Sequence, residues 1–300
     1  MKGVRKMEYE KLSSLLEMLC RGSRLHICIC DISGILRQEP LRLDFFNQVH
    51  ATAFCDLAKS TKRGYRLCMK CKERANRKAV QEQKAFSGYC PCGLFEAVYP
   101  VTMDGAVRCV VYAGNLVPDE AAAERRLRRT CRRTGAPVQR LMDELGHGER
   151  QVSAEEAMQI ARLAGSYIQL LYQKEEPVPA GSPHHWVVET LIEYIRKHYA
   201  FPITLRDMAS LYYLNEKYIG RLFKAQTGRT FHQYLTEIRL SQAGKLLLET
   251  SRNITEIAQD CGFESAPYFN RLFKQRYQLS PTAYRKKETV RLRIMAGQSE

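Results

Sequence analysis

Five cysteines stand in the order Cys55-x12-Cys68-x2-Cys71-x18-Cys90-x-Cys92. A Cys-x2-Cys pair can chelate one soft metal ion, and a later pair can complete a tetrahedral thiolate site. Here the later pair is Cys-x-Cys, a less usual spacing, and five thiols stand for four places. Two other chemistries fit the same residues. They could form a redox pair or cluster, or they could be small buried hydrophobes, as free cysteine usually is. Zinc or another thiolate-bound metal is therefore one candidate cofactor. Cys20, Cys28, Cys30, Cys109, Cys131 and Cys261 lie mostly on apolar patterns and are expected in the core.

A second group of residues could bind nucleic acid. Tyr218-Ile-Gly-Arg221-Leu222-Phe223-Lys224 returns as Tyr268-Phe-Asn-Arg271-Leu272-Phe273-Lys274, offset by 50, and Met208-Ala209 returns as Ile257-Ala258, offset by 49. Two copies of one helical unit explain this economically. Each copy has helix-turn-helix spacing, with small Ala209 or Ala258 allowing close approach and Gly262 supplying a tight turn. The exposed face of each second helix then carries Asn215, Lys217, Arg221 and Lys224, and again Ser265, Asn270, Arg271 and Lys274. Arginine suits guanine edges, asparagine suits adenine, and lysine suits phosphate. A plain bundle with a solvated basic face is the bland alternative; matched Arg-Leu-Phe-Lys blocks in register argue against it.

An enzyme would need a catalytic constellation, and none is visible. There is no Gly-rich phosphate loop and no Gly-x-Ser-x-Gly, and the seven histidines are scattered. A DNA-repair enzyme with an activated cysteine would need a nucleophile segment of the Pro-Cys-His type, which is missing. Arg125–Arg133 holds six arginines in nine residues. That run suits an RNA- or membrane-binding patch, but one solvated helix face is the simpler reading.

The elements that position these groups follow from pattern. Lys174–His185 contains three prolines and reads as a linker. Before it, Leu12–Leu19 and Lys70–Lys84 look helical, while Leu25–Asp31, Phe95–Val101 and Val107–Ala113 look like strands, with Asp104-Gly105 as a hairpin turn. Ser153 and Glu156 form a capping box for a helix to residue 173. Its apolar stripe of Ile160, Ala164, Ile168 and Leu171, widened by Leu163, Tyr167 and Leu170, is broad enough to suggest a homodimer. From Trp186 to Lys287 all is helical, and Phe231–Leu248 separates the two copies. The fold class is therefore α+β in front and all-α behind. The expected domains are 1–175, a linker 176–185, 186–288, and a tail 289–300.

The formal net charge is +15, which suits a polyanionic partner. From Pro183 onward there are 18 basic and 11 acidic residues, so the excess is shared by both halves. No secretory signal is visible and no segment is apolar enough to span a bilayer, so a cytoplasmic protein with no membrane partner is expected.

The segment Trp186–Lys287 resembles the DNA-binding domain of AraC/XylS regulators, carried by Ile254-Thr-Glu-Ile257-Ala258 through Gly262-Phe263 and Tyr268-Phe269-Asn-Arg271-Leu-Phe273-Lys274 to Ser280-Pro281-Thr-Ala-Tyr284-Arg285. The resemblance implies two recognition helices in successive major grooves, with base-reading positions at Lys217, Gly220 and Arg221, then Ser265, Asn270 and Arg271. Gln278 departs from the glycine usual there, and Pro267 sits in the first turn of the second recognition helix. The front half resembles the PocR-type sensory domain, a variant of the PAS-like fold. Cys55, Gly64-x3-Cys68, Cys90-Pro-Cys92-Gly93-Leu94, Tyr99-Pro100-Val101 and Gly114-Asn115-Leu116 carry that likeness. It implies a pocket for a small organic effector near the Cys-Gly-Leu segment. The extra thiols Cys71 and Cys90 keep metal binding open. The expected protein is thus a transcription regulator under effector control, or alternatively a thiolate-metal or redox sensor. Its partners would be double-stranded DNA and the effector, with RNA polymerase as a further candidate.

Overall fold

A computed structural model describes residues 11–37, 39–43, 45–50, 52–145, 152–172 and 185–287. The predicted linker and tail lie outside these residues, apart from His185. The chain divides into two compact units, Met1–Glu189 with Asp207–Leu214, and Thr190–Arg206 with Asn215–Glu300.

The first unit is built on a four-stranded antiparallel sheet. Its strands are β1 (His26–Asp31), β2 (Phe86–Tyr89), β3 (Phe95–Met103) and β4 (Ala106–Leu116), in the order β1-β4-β3-β2. Both faces of the sheet are covered, which is why β1 and β4 read as nearly continuous apolar runs. On one face Ile27, Ile29, Ala97, Val101, Val111 and Ala113 pack with helices α1 (Leu12–Cys20) and α6 (Ala154–Tyr172). On the other, Cys28, Val98, Val110 and Tyr112 meet Ala79 of the long helix α3 (Lys62–Glu82). Burying these side chains stabilises by about 1.5–3 kcal/mol each for the large aliphatics.

Sequence expectations hold for β1, α1 and the β3–β4 hairpin, with three adjustments. Strand β3 continues through Pro100, which pairs with Val110. Beyond Phe86↔Val98 the outer side of β3 is unpaired, which is where a proline can sit in a strand. Strand β4 runs on past Gly114 to Leu116. Helix α3 starts at Lys62, eight residues earlier than expected, because Thr61 caps it by accepting from the Gly64 amide at 3.0 Å. Short helix α2 (Ala53–Lys59) precedes it; α4 (Glu120–Thr134) and α5 (Val138–Asp143) follow the sheet.

Helix α6 has the expected capping box. The Glu156 amide donates to Ser153 Oγ at 3.1 Å, and the Ser153 amide donates to Glu156 Oε2 at 2.8 Å. Its apolar stripe divides. Ala164, Ile168 and Leu171 are buried in the unit's own core and Ile160 and Tyr167 pack beside it, whereas Leu163 and Leu170 are exposed. Part of the stripe therefore meets the unit's own core, and Leu163 and Leu170 are the part left facing outward.

Behind these lie α7 (His185–His198), α8 (Leu205–Leu211), α9 (Glu216–Thr227), α10 (Phe231–Glu249), α11 (Ile254–Asp260) and α12 (Ala266–Tyr277). A capping box of Thr230 and Gln233 starts α10. Its Leu240, Ala243 and Leu247 form one core with Ile257, Ala258, Phe263, Phe269 and Phe273 of the second copy. From α10 the Arg239 guanidinium reaches back, Nε donating to the Tyr199 carbonyl at 2.7 Å and a terminal nitrogen to the Phe201 carbonyl at 2.8 Å. Among the described residues no helix is long and apolar enough to cross a membrane.

Candidate functional site

Two regions carry the residues singled out above. The first is the exposed face of α9 and α12. Asn215 caps α9, its Oδ1 accepting from the amides of Lys217 at 2.9 Å and Tyr218 at 3.3 Å. Ser265 caps α12 through the Tyr268 amide at 3.4 Å, and Pro267 falls in the first turn, where its missing N–H costs nothing. Ile219, Phe223, Phe269 and Phe273 point inward and are fully buried. Helical periodicity then leaves Lys217, Arg221 and Lys224 exposed on α9, and Asn270, Arg271 and Lys274 exposed on α12. Gly220 differs. It is half-buried, and a Cβ there would stand 3.1 Å from Leu205 Cδ2, so its smallness serves packing.

Ion pairing sorts the neighbouring cations. Arg206 pairs with Glu216 at 3.0 Å, Arg276 with Glu237 at 3.7 Å, Arg229 with Glu237, and Arg252 with Asp260. Among the described residues no carboxylate pairs with Lys217, Arg221, Lys224, Arg271 or Lys274; Arg271 only lies 5.3 Å from the Tyr268 ring centroid. The exposed faces of α9 and α12 thus hold cations with no salt-bridge partner among the described residues.

The second region is a cavity of about 630 Å³, its open mouth included, beside the sheet of the first unit. Cys55, Cys68, Cys90 and Cys92 line it, together with Phe54, Leu94, Glu96, Asn115, His26 and His50; Cys71 is not part of the lining. Gly64 lets α2 and α3 meet there, since a Cβ would lie 2.1 Å from the Ala58 carbonyl oxygen. Burial pushes the Cys55 thiol up to about 12 and those of Cys68 and Cys71 up to about 11. Cys90 is held up first by its hydrogen bond with Cys92 and then by burial. Burial thus disfavours the thiolate form in Cys55, Cys68 and Cys71, which lowers their reactivity as nucleophiles. Among the described residues no group of three or more His, Cys, Asp or Glu side chains is placed to hold a metal ion. All five are free cysteines, and the metal and redox reading is not favoured.

Sequence reasoning missed the polar side of this cavity. His50 Nδ1 lies 3.1 Å from Glu96 Oε1, and Lys72 Nζ lies 3.1 Å from His50 Nε2. Burial, and then the nearby Lys72, hold His50 well below its ordinary value, while burial pushes the Glu96 carboxyl up. A neutral His50 donating from Nδ1 and accepting from Lys72 at Nε2 satisfies all three groups. His26 sits 6.3 Å from His50, ring to ring. Asn115 donates from Nδ2 to the Arg24 carbonyl at 2.9 Å, but its buried Oδ1 has no hydrogen-bond partner among the described residues. The histidines looked scattered because His26 and His50 are 24 positions apart; Asn115 was at least part of the Gly-Asn-Leu step.

Comparison with known proteins bears on both regions. The family model for the sensory domain found in PocR matches residues 4–176, more than half of the chain. The chain belongs to this PocR sensory-domain family. Behind its sensory domain, a helix-turn-helix domain model of the AraC type matches residues 208–287. Regulatory protein PocR of Salmonella typhimurium is 35% identical over 104 residues, covering 35% of this chain and 34% of that protein. The transcriptional activator RhaS of Mannheimia succiniciproducens is 35% identical over 95 residues, covering 32% and 35%. The chain therefore spans about a third of the length of the curated relatives it matches. Among solved structures, the DNA-binding domain of AdpA in complex with a target DNA matches with a TM-score of 0.34 at 26% identity, covering 35% of this chain and 94% of that one. The family models and relatives are those of transcriptional regulators, not enzymes.

Proposed function

We propose that this PocR-family chain is a sequence-specific DNA-binding transcription regulator whose activity is controlled by a small effector held in the cysteine-lined cavity. The observation that carries the DNA reading is the set of unneutralised side chains at matched positions on α9 and α12. Arg221 and Arg271 would read base edges, Asn270 would assist, and Lys217, Lys224 and Lys274 would take phosphates. Asn215 and Ser265 would act at the helix starts, where recognition helices approach base edges. Similarity to AraC-type regulators supports this. The proposed domains are 1–175 and 186–288, with a linker 176–185 between them and a tail 289–300; family matches over 4–176 and 208–287 support a two-domain chain.

The effector reading rests on the cavity. Its lining is apolar with a few convergent polar groups, as small-molecule sites are. The unpartnered Asn115 Oδ1 asks for a donor, and Glu96 offers a second acceptor. A homodimer through the exposed Leu163 and Leu170 of α6 remains part of the proposal, as does contact with RNA polymerase.

The test is binding of Arg221→Ala and Arg271→Ala chains to a selected duplex and to random duplex. Each substitution should cost about 1–3 kcal/mol on the selected site and relax preference there. Equal losses on both duplexes would make the two arginines phosphate contacts, and no loss on either would remove the reading.

A further inference from the structure

A second basic surface lies on the sensory half, away from the recognition helices in sequence. On α3, Arg63, Arg66, Lys70 and Arg74 are exposed and follow one another at three- and four-residue steps, so they share one stripe. On α4, Arg125, Arg129, Arg132 and Arg133 are exposed and do the same. Thr61 Oγ1 donates to the Thr134 carbonyl at 2.9 Å, which joins the first turn of α3 to the last turn of α4. The start of α3, with Arg63 and Arg66, and the end of α4, with Arg132 and Arg133, are thereby brought to one corner of the unit.

Three of the four carboxylates of these helices are committed elsewhere, and the fourth, Glu120, stands at the far N-terminal end of α4. Glu73 pairs with Arg77, Glu82 with Lys78, and Glu124 with Arg128. Among the described residues, none of the eight cations named above has a salt-bridge partner. Helix stability does not explain them either. Arg132 and Arg133 suit the C-terminal end of α4, but α3 has no acid in its first turn, and cations there oppose the helix dipole. Crowded like charges without partners destabilise a compact unit.

We infer that this corner is a second DNA contact, in which the sensory half grips the phosphate backbone of duplex beyond the stretch read by α9 and α12. The inference rests on the DNA-binding reading above. Along a helix a four-residue step advances about 6 Å, while duplex DNA presents one charge per roughly 1.7 Å of axis. Each arginine can thus find a phosphate without base register. A bilayer fits less well, because the apolar face of α4 is spent on Leu127 and Cys131 in the unit's own core, leaving nothing to insert. Single-stranded nucleic acid fits less well because the two stripes hold no aromatic for base stacking. Tethering to the recognition helices raises the local concentration of duplex at this face without any new contact.

The test uses the full chain and mixed-sequence duplexes of about 20 base pairs, enough for two half-sites one turn apart, and of about 60 base pairs, which adds flanking phosphates. Affinity is followed against salt by fluorescence anisotropy for the wild type and for the combined variant Arg63→Gln, Arg66→Gln, Arg129→Gln, Arg132→Gln. On the long duplex the slope of log affinity against log salt should shrink by about 0.9 per lost contact, so by about 3–4; on the short duplex it should change little. The matching four-fold Arg→Lys chain should keep the wild-type slope, which separates charge from any folding defect. Wild-type chain that binds both duplexes while the Gln variant behaves identically would overturn this inference alone. Wild-type chain that binds neither would overturn the recognition-helix reading with it. A Gln variant that loses only single-stranded RNA or phosphatidylglycerol vesicles would assign the corner to those partners and sink the DNA contact.

Discussion

The two helix-turn-helix copies make the same hydrogen bonds from different residues. In the first turn the Leu214 amide donates to the Ala209 carbonyl, and in the second the Phe263 amide donates to that of Ala258, both at 2.9 Å. The recognition helices close alike, Gly228 to Lys224 at 2.9 Å and Gln278 to Lys274 at 2.8 Å. Each copy also needs two left-handed residues, one in the turn and one at the helix end. The first copy puts Tyr213 in the turn at φ 56° and glycine at the end, Gly228 at 72°. The second reverses this, with Gly262 in the turn at 82° and Gln278 at the end at 57°. Space explains half of the exchange. A Cβ on Gly262 would lie 2.6 Å from the Ala200 carbonyl oxygen, so only glycine fits there, whereas nothing stands within 4 Å of such an atom on Gly228. The helix end therefore asks for a dihedral angle alone, and Gln278 can supply it under strain.

The largest expected effect lies where the copies agree. Phe223 and Phe273 are both fully buried, and Phe223→Ala or Phe273→Ala should each cost about 3–5 kcal/mol in chemical denaturation. A near-neutral Phe223→Ala would show that the first copy is not held by its own core. A smaller effect separates the glycines. Gly262→Ala should cost about 2–3 kcal/mol, from dihedral strain and the Ala200 contact together, and Gly228→Ala about 1 kcal/mol from the angle alone. Equal losses would mean that the Ala200 contact relaxes. The smallest effects have the opposite sign. Gln278→Gly and Tyr213→Asn should each stabilise by up to about 1 kcal/mol, since glycine and asparagine accept φ above zero more readily. Destabilisation by Gln278→Gly would instead credit the bond from its Nε2 to the Gln275 carbonyl at 3.0 Å.

These copies were legible in the sequence because nearly every role in them is local. A residue's neighbours lie three or four positions away, so the pattern of Phe223 and Phe273, and the exposure of Arg221 and Arg271, follow from periodicity. The cavity is different. It gathers His26, His50, Cys68, Glu96 and Asn115 from separate elements, and no spacing rule links them. Cysteine spacing left metal, redox and plain core readings open, and which side chains converge is a property of the folded surroundings rather than of the spacing; among the described residues no group of three or more His, Cys, Asp or Glu is placed to hold a metal ion. Strand β2 escaped notice because it is a four-residue edge strand, mostly exposed, with Gly88 inside it. The stripe on α6 was visible, but which part faced the sheet was set by Tyr99 and Val101 of β3, against which Gly165 packs.

The short segment between α7 and α8 has a consequence in time as well as in structure. Arg239 holds the carbonyls of Tyr199 and Phe201, and the carbonyl of Ala200 between them rests against the turn at Gly262. The end of α7, the middle of α10 and the turn of the second copy are thereby fastened at one point. Amides in all three should then exchange with solvent deuterium at a common rate, as one cooperative opening unit. An Arg239→Met chain should release the α7 end to exchange early, ahead of α12.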